Sequence, residues 1–400
     1  MVVVMSGNAG FSTVALGVPF DVAKLDRLLE EAGLDAVLAT SPHSTRFLLG
    51  GYRFFLYDRL DPIGSSRYVP VVGYVPGRLD DGFYVGAGNE DWGTDVADLW
   101  VPSVLNVSWS SREAAQLAAR ELGRRLPTAT RVGVELPFLP ADALRALVAE
   151  LPAVELVDAS AVLDELRAVK TAEELDTMRR GSSMVVDAML ATFGALAAGA
   201  TTREASELLR VEETRRGLTF DYCLVAAGSS LNRAPSSQVI GQGDVLSLDS
   251  GADLAGYPAD LTRMGIAGEP TARHGELLGE VDDVLQRVRG AVRAGAIGGE
   301  LFTVAHAAID ALPDAACMRF LAHGTGLLTH EAPRLTDRGS PPYPATHRDL
   351  PLDAGMVLSL ECQVADPEHG FIKLEDTVFV TEDGFEAVGD QGRGWNGLGR

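Results

Sequence analysis

Four acidic residues stand where strands would bury them. Asp249 lies in LSLDSG, Asp260 in YPADLT, Glu361 in LSLECQ and Glu375 in IKLEDT. Each run otherwise has the apolar texture of a buried strand. The turn SGADLAG separates the first two acids, and a turn with Asp366, Pro367 and Gly370 separates the others. The pattern reads as two hairpins with an acid on every strand. One such acid, taken alone, is ordinarily a solvated edge or half of a salt bridge. Four that converge are another matter. A lone buried carboxylate is costly and neutralises, and several together repel strongly in a low dielectric. Divalent cations are the simplest compensation, two of them cancelling four carboxylates in formal charge.

His323 sits in LAHGTGLLTHEAP, with His330 seven residues on. Gly324 and Gly326 argue against a continuous helix, so the segment reads as strand and loop. HEAPR is not a zincin motif, because Arg334 stands where a second histidine would be needed. Either histidine alone reads as ordinary structure. Two that frame a glycine loop, in a chain with four converging acids, read as part of a site.

The chain falls into two textures. Residues 22–33 have helical apolar spacing ending at Gly33, and strand-like runs follow at 35–40, 68–75, 131–136 and 154–160. Helical patterns near 112–124 and 141–150 lie between them, which predicts an α/β layer with a largely parallel sheet. No phosphate-cradling glycine loop follows these strands. Thr171 with Glu174, and Thr201 with Glu204, make capping boxes ahead of two helical stretches. Strands and turns dominate from 221 onward, broken by a helical stretch at 275–294. The second half therefore reads as α+β, and the boundary falls so that 1–165 and 166–400 are separate domains. GRGWNGLGR at the end reads as loose surface chain. Its GxGxxG has no helix after it and is rejected as a nucleotide motif.

Composition narrows the function. Against 34 Lys and Arg stand 56 Asp and Glu, a net charge of −22. That balance excludes phosphate-backbone binding and docking on an anionic membrane as main activities. Hydrophobic content of 46% and charged content of 22% exclude disorder as the main state. Cys223, Cys317 and Cys362 form neither a disulfide framework nor a CxxC pair. The start has no basic residue before its short apolar run, so it lacks the shape of a signal peptide. No run of about twenty apolar residues exists. A soluble, cytoplasmic protein in a reducing compartment is expected.

LDSGADLAGYPADLTR, AHGTGLLTHEAP, LSLEC and KLEDTVFVTEDG together resemble the motifs of the pita-bread metallopeptidases. That family includes prolidase, the Xaa-Pro aminopeptidases, methionine aminopeptidase and creatinase. LDAVLATSPHSTRFLLGG looks like the start of the creatinase-type N-terminal domain, and LRAVKTAEELDTMRR like the segment between domains. The resemblance covers nearly the whole chain and is closest to Xaa-Pro dipeptidases. It implies an α/β creatinase-like N-terminal domain and an α+β pita-bread catalytic domain. It also implies that Asp249, Asp260, His323, Glu361 and Glu375 are metal ligands for two ions, with Asp260 and Glu375 bridging them. Asp249 would then hold one ion, and His323 and Glu361 the other. Oxygen-rich ligation without thiolate suits Mn²⁺ or Co²⁺, with Zn²⁺ or Fe²⁺ as alternatives. A metal-bridging hydroxide would attack a small peptide at an Xaa-Pro bond. His330 would touch the substrate carbonyl and stabilise developing charge. A homodimer is implied by the same resemblance.

The sequence departs from the family's pattern in three places. Asn232 stands where prolyl peptidases usually carry another histidine, and asparagine cannot shuttle a proton at pH 7. Asn232 is expected to bind substrate. Cys362 and Gln363 follow Glu361 where prolidases commonly show Pro-Gly. Lys373 replaces the usual Arg two residues before the last ligand, keeping charge but losing the bidentate fork. These changes leave open a same-fold metallohydrolase or lyase on a non-peptide small molecule, such as ectoine hydrolase- or creatinase-like C–N cleavage. A catalytically dead binding module is the third reading, and the complete ligand set speaks against it. Cys362 would point away from Glu361 into packing. Tyr52, Phe54, Phe55 and Tyr57 are expected in core packing, with a partner subunit's active-site wall as the alternative.

Overall fold

The computed structural model describes residues 17–56, 64–339 and 341–399. Residues 1–16, with the start that lacks a signal peptide's shape, and Tyr57 lie outside the described residues. The chain divides into two compact units, Met1–Leu166 and Arg167–Arg400.

The first unit runs α1 (Val22–Glu31), β1 (Ala36–Ala39), α2 (Pro42–Leu48), β2 (Val71–Tyr74), β3 (Phe83–Ala87) and α3 (Asp91–Thr94). It continues with β4 (Val104–Ser108), α4 (Ser111–Arg125), β5 (Arg131–Val134), α5 (Ala141–Glu150), β6 (Glu155–Asp158) and α6 (Ser160–Leu166). Strand order is β4-β3-β2-β1-β5-β6. The sheet is mixed. β3–β4, β1–β5 and β5–β6 pair parallel, whereas β2 is antiparallel to both its neighbours. The expected parallel character fails at β2 because the short link from β2 to β3 carries no crossover helix, and a link of that kind returns antiparallel. Alternation along β1 builds a three-layer unit. Ala36 and Leu38 pack with α4 and α5, while Val37 and Ala39 pack with α1 and α6. Phe54 is buried, Phe55 is exposed, and the Tyr52 hydroxyl donates to buried Glu90.

The second unit runs α7 (Ala172–Ala195), α8 (Thr202–Arg215), β7 (Thr219–Ala227), β8 (Val245–Leu254), β9 (Tyr257–Ile266) and α9 (Ala272–Arg289). It continues with α10 (Glu300–Asp310), β10 (Met318–Gly324), β11 (Val357–Asp366), β12 (Gly370–Val380), β13 (Phe385–Val388) and β14 (Asn396–Gly397). Both capping boxes form, at Thr171–Glu174 and Thr201–Glu204. Each satisfies two backbone donors that a helix start leaves unpaired.

The sheet order is β10-β11-β12-β9-β8-β7, with β13 on β12 and β14 on β9. It is two antiparallel halves. β8 and β9 form one hairpin, turning at Ala255 and Gly256, both at positive φ. β11 and β12 form the other. The halves join at one register pair, Glu375 opposite Thr262. α7 and α8 pack on the β7–β9 side, and α9 and α10 on the β10–β12 side.

The C-terminal tail is not the loose chain its composition suggested. Asn396 and Gly397 pair with Gly265 and Ile266. The Trp395 indole donates to the His274 carbonyl at 3.1 Å, and the Asn396 amide donates to the Met264 carbonyl at 2.9 Å. Long-range contacts of this kind leave no local signature in a glycine-rich sequence.

Candidate metal centre

Strand register brings the acids together. Asp249 faces Thr262, Thr262 faces Glu375, and Glu375 faces Glu361, in one lateral row across β8, β9, β12 and β11. Side chains two apart on a strand share a face. Asp260 therefore joins the row from Thr262, Lys373 from Glu375, and His323 from Leu321, which pairs with Glu361. Tyr222 joins it from Leu224, which pairs with Asp249. Cys362 points the other way into the hydrophobic core, where burial pushes its thiol up to about 12.

Asp249, Asp260, His323 and Glu375 are buried, and Glu361 is partly so. One ligand atom each from Asp260, His323 and Glu375 lie within 4.8 Å of one another. The Thr262 hydroxyl donates to Glu375 Oε2 at 3.1 Å and the Ser359 hydroxyl to Oε1 at 2.7 Å, which fixes that carboxylate. His323 Nδ1 lies 3.2 Å from the Gly324 carbonyl. A proton on Nδ1 makes that bond and leaves the Nε2 lone pair facing the acids, 3.7 Å from Glu361 Oε1 and 3.9 Å from Glu375 Oε1.

Three buried atoms here have no hydrogen-bond partner: His330 Nδ1 on the cavity wall, and Asp260 Oδ1 and His323 Nε2 among the acids. Asp260 Oδ1 and His323 Nε2 are both acceptors in this arrangement. Leaving either unpaired costs about 1–3 kcal/mol, more for a charged group. A divalent cation satisfies both at once. Carboxylate oxygens with one imidazole nitrogen and no thiolate form a donor set that fits such an ion. Burial, then the charges of Glu375 and Asp249, pushes the Asp260 carboxyl well above its usual range, with Lys373 opposing.

The structure amends the charge argument. Lys373 Nζ lies 2.6 Å from Asp249 Oδ2, 2.5 Å from Glu361 Oε2 and 2.7 Å from Glu375 Oε2. Burial alone would lower the lysine's pKa, but the three carboxylates hold it well above normal. Arg233 also pairs with Asp249. Divalent ions are thus not the sole compensation for the four acids.

A cavity of about 470 Å³ opens over the row. Arg233, Tyr222, Leu328, His330 and Pro341 line it beside the acids. The His330 ring stacks on His323 at 3.8 Å, and burial pushes its pKa down to about 3. Asn232 does not line the cavity. It is exposed, and its side-chain oxygen caps a turn by accepting from the Ala234 amide at 3.1 Å. Its neighbour Arg233 takes the place on the wall. Sequence reasoning missed Arg233 and Tyr222. Tyr222 reaches Asp260 across Gly251, where a Cβ would lie 2.3 Å from the tyrosine ring. A glycine between an aromatic strand residue and an acid was the available signal.

Residues 176–382 match metallopeptidase family M24, and residues 22–169 match the Creatinase/Prolidase N-terminal domain. The chain is 25% identical to an Xaa-Pro dipeptidase of Lactobacillus delbrueckii subsp. lactis, over 91% of this chain and 95% of that one. It is 28% identical to a probable dipeptidase, PepE, of Mycobacterium bovis, over 90% of each. Among solved structures, an Xaa-Pro dipeptidase from Bacillus anthracis superposes with a TM-score of 0.78 at 22% identity, covering 94% of this chain and 99% of that one. That likeness shows the two-domain fold.

Proposed function

The chain belongs to metallopeptidase family M24 and is a metal-dependent hydrolase, and within that family we propose that it cleaves the peptide bond of an Xaa-Pro dipeptide. The observation that carries this reading is the pair of partnerless buried atoms, Asp260 Oδ1 and His323 Nε2, beside Glu375 on the cavity floor. Asp249, Asp260, His323, Glu361 and Glu375 are the proposed ligand set. A divalent ion bound there supplies a Lewis acid for the scissile carbonyl and lowers the pKa of a water toward neutrality.

The chain's own residues do the rest. Thr262 and Ser359 hold Glu375 in one orientation. The Gly324 carbonyl sets the His323 tautomer. His330 presents an imidazole on the cavity wall, where it donates to the substrate carbonyl and stabilises charge as the bond breaks. Tyr222 lines one side of the cavity beside Asp260. The cavity is of a size that suits a small ligand.

One observation favours a second reading. Arg233, not a histidine, lines the wall near the position of Asn232. That position offers a guanidinium and no histidine, which suits the carboxylate of a small molecule with a non-peptide C–N bond. Manganese as the ion, from the oxygen-rich ligand set, a cytoplasmic setting, from cysteine usage, functional domains at 1–165 and 166–400, from the change of sequence texture, and a homodimer, from the resemblance, belong to the same proposal. Among the described residues no helix is long and apolar enough to cross a membrane.

The test is a panel of Xaa-Pro dipeptides, Xaa-Pro-Yaa tripeptides, creatine and ectoine, incubated with Mn²⁺-loaded protein and read by mass spectrometry. Cleavage of Xaa-Pro bonds supports the first reading. Intact peptides beside cleaved ectoine or creatine replace it with the second.

A further inference from the structure

We infer that Lys373 takes the place of one of the two cations this ligand set is arranged for, so that the centre holds a single divalent ion at Asp260, His323 and Glu375. The inference rests on the metal-centre reading above and departs from the dinuclear count that the ligand set alone implies.

Geometry supplies the first argument. The Lys373 ammonium contacts Asp249, Glu361 and Glu375 at 2.5–2.7 Å. The contact to Asp249 Oδ2 is a hydrogen bond, and those to Glu361 and Glu375 are close ion pairs. A lysine head is a compact point charge, so it can sit among three carboxylates as a small cation does. A guanidinium spreads its charge over a larger planar fork. The side chain is 3% exposed and rises from the middle of β12, between buried Ile372 and Leu374. Leaving the acids would strand a charge in the interior.

Distribution of the ligands supplies the second. Asp260, His323 and Glu375 keep ligand atoms within 4.8 Å of one another. Asp249, the acid expected to hold the other ion, offers Oδ2 to Lys373 and Arg233 together. Glu361 is shared, with Oε2 on Lys373 and Oε1 toward His323. One pole of the site is directed at a cation supplied by the chain. The other pole carries the partnerless acceptors.

Charge supplies the third. Asp249, Asp260, Glu361 and Glu375 carry four negative charges, and Lys373 with Arg233 returns two. The remaining two match one divalent ion. A second such ion would leave two positive charges in excess in a buried site, which is unfavourable unless a side chain withdraws.

The test counts metal. Protein is saturated with Mn²⁺, freed of unbound ion by gel filtration and analysed by inductively coupled plasma mass spectrometry, with electron paramagnetic resonance on the same sample. Wild type is expected to hold one ion per chain with an uncoupled six-line spectrum. Lys373→Met is expected to double the count and give an exchange-coupled spectrum. Two ions in wild type with a coupled spectrum overturn the inference and leave the metal-centre reading standing, and so does a Lys373→Met count that stays at one. Failure of the underlying reading looks different: no retained metal in wild type, or one ion retained equally by Asp260→Asn, overturns both. The wild-type count decides even where the variant does not fold.

Discussion

Replacing Asp376 with Asn should unfold the second unit at markedly lower temperature. Asp376 is fully buried next to Glu375 and points to the opposite face of β12. Three arginines from three other segments meet it. Arg263 Nη1 of β9 lies 3.2 Å away, Arg393 Nη1 of the tail 2.5 Å and Arg289 Nη2 of α9 3.4 Å. Arg289 and Arg393 also reach Asp390, so they keep an acid when Asp376 loses its charge. Arg263 does not. Its other partners are the carbonyls of Thr262, Glu375, Gly389 and Gln391. The variant therefore leaves one fully buried guanidinium without its counter-charge, which costs about 3–5 kcal/mol. For a unit of this size each kcal/mol moves the midpoint by about 2–4 °C. A fall of roughly 6–20 °C follows, read by circular dichroism at pH 7. The exposed pair Arg287–Asp283 is the control, and Asp283→Asn should shift the midpoint by less than about 4 °C. The acid side gives a second readout. Burial would raise the Asp376 pKa, but Arg263, Arg393 and Arg289 hold it below its usual value. Stability from this depressed group is present above the unfolded pKa, near 3.8, and is lost as pH falls through the folded pKa. Wild type should lose that increment in acid, and Asp376→Asn should not. An Asp376→Asn midpoint matching that of the exposed control would refute the reasoning.

Glu213 predicts the opposite pH sign. Burial pushes its carboxyl up to about 8, with Asp221 adding and the Ser250 hydroxyl opposing. The folded state thus keeps a proton that the unfolded chain loses near 4.5. Stability from this group should fall by about 1.4 kcal/mol per pH unit between those values, and urea melts of Glu213→Gln should lose that slope. Thr171→Ala removes the cap of α7 and should cost about 1 kcal/mol by urea melts, whereas Thr171→Ser should restore it. Asp260→Ala should abolish turnover and lower bound metal, and Glu361→Ala should abolish turnover, both with little change in fold, read by substrate hydrolysis beside metal analysis. Full turnover by either variant sinks the ligand assignment.

What the sequence made legible follows range of interaction. Period-2 spacing and apolar flanks exposed the four acid-bearing strands, because a charge inside a buried run is a local anomaly. The same spacing placed Cys362 in packing. The lateral row is not local. It depends on β9 meeting β12 at Thr262 and Glu375, 113 residues apart in the chain, and the Arg263 clamp that holds this seam draws on the tail. Lys373 was legible as a departure from a pattern, but its contact with three acids required the register. Asn232 stood out for the histidine it replaces, yet its turn faces outward and hands the wall to Arg233. In the first unit β2 was legible as a strand. Its antiparallel direction was set by the short link to β3, a link that periodicity alone does not weigh.

The most direct measurement is release of proline from Gly-Pro by chelator-treated protein before and after Mn²⁺ is restored, with Asp260→Asn alongside. The account predicts negligible release before, recovery of at least about tenfold after, and none in the variant. Equal release with and without metal, or metal-stimulated release by Asp260→Asn matching wild type, would contradict a hydrolase built on this centre.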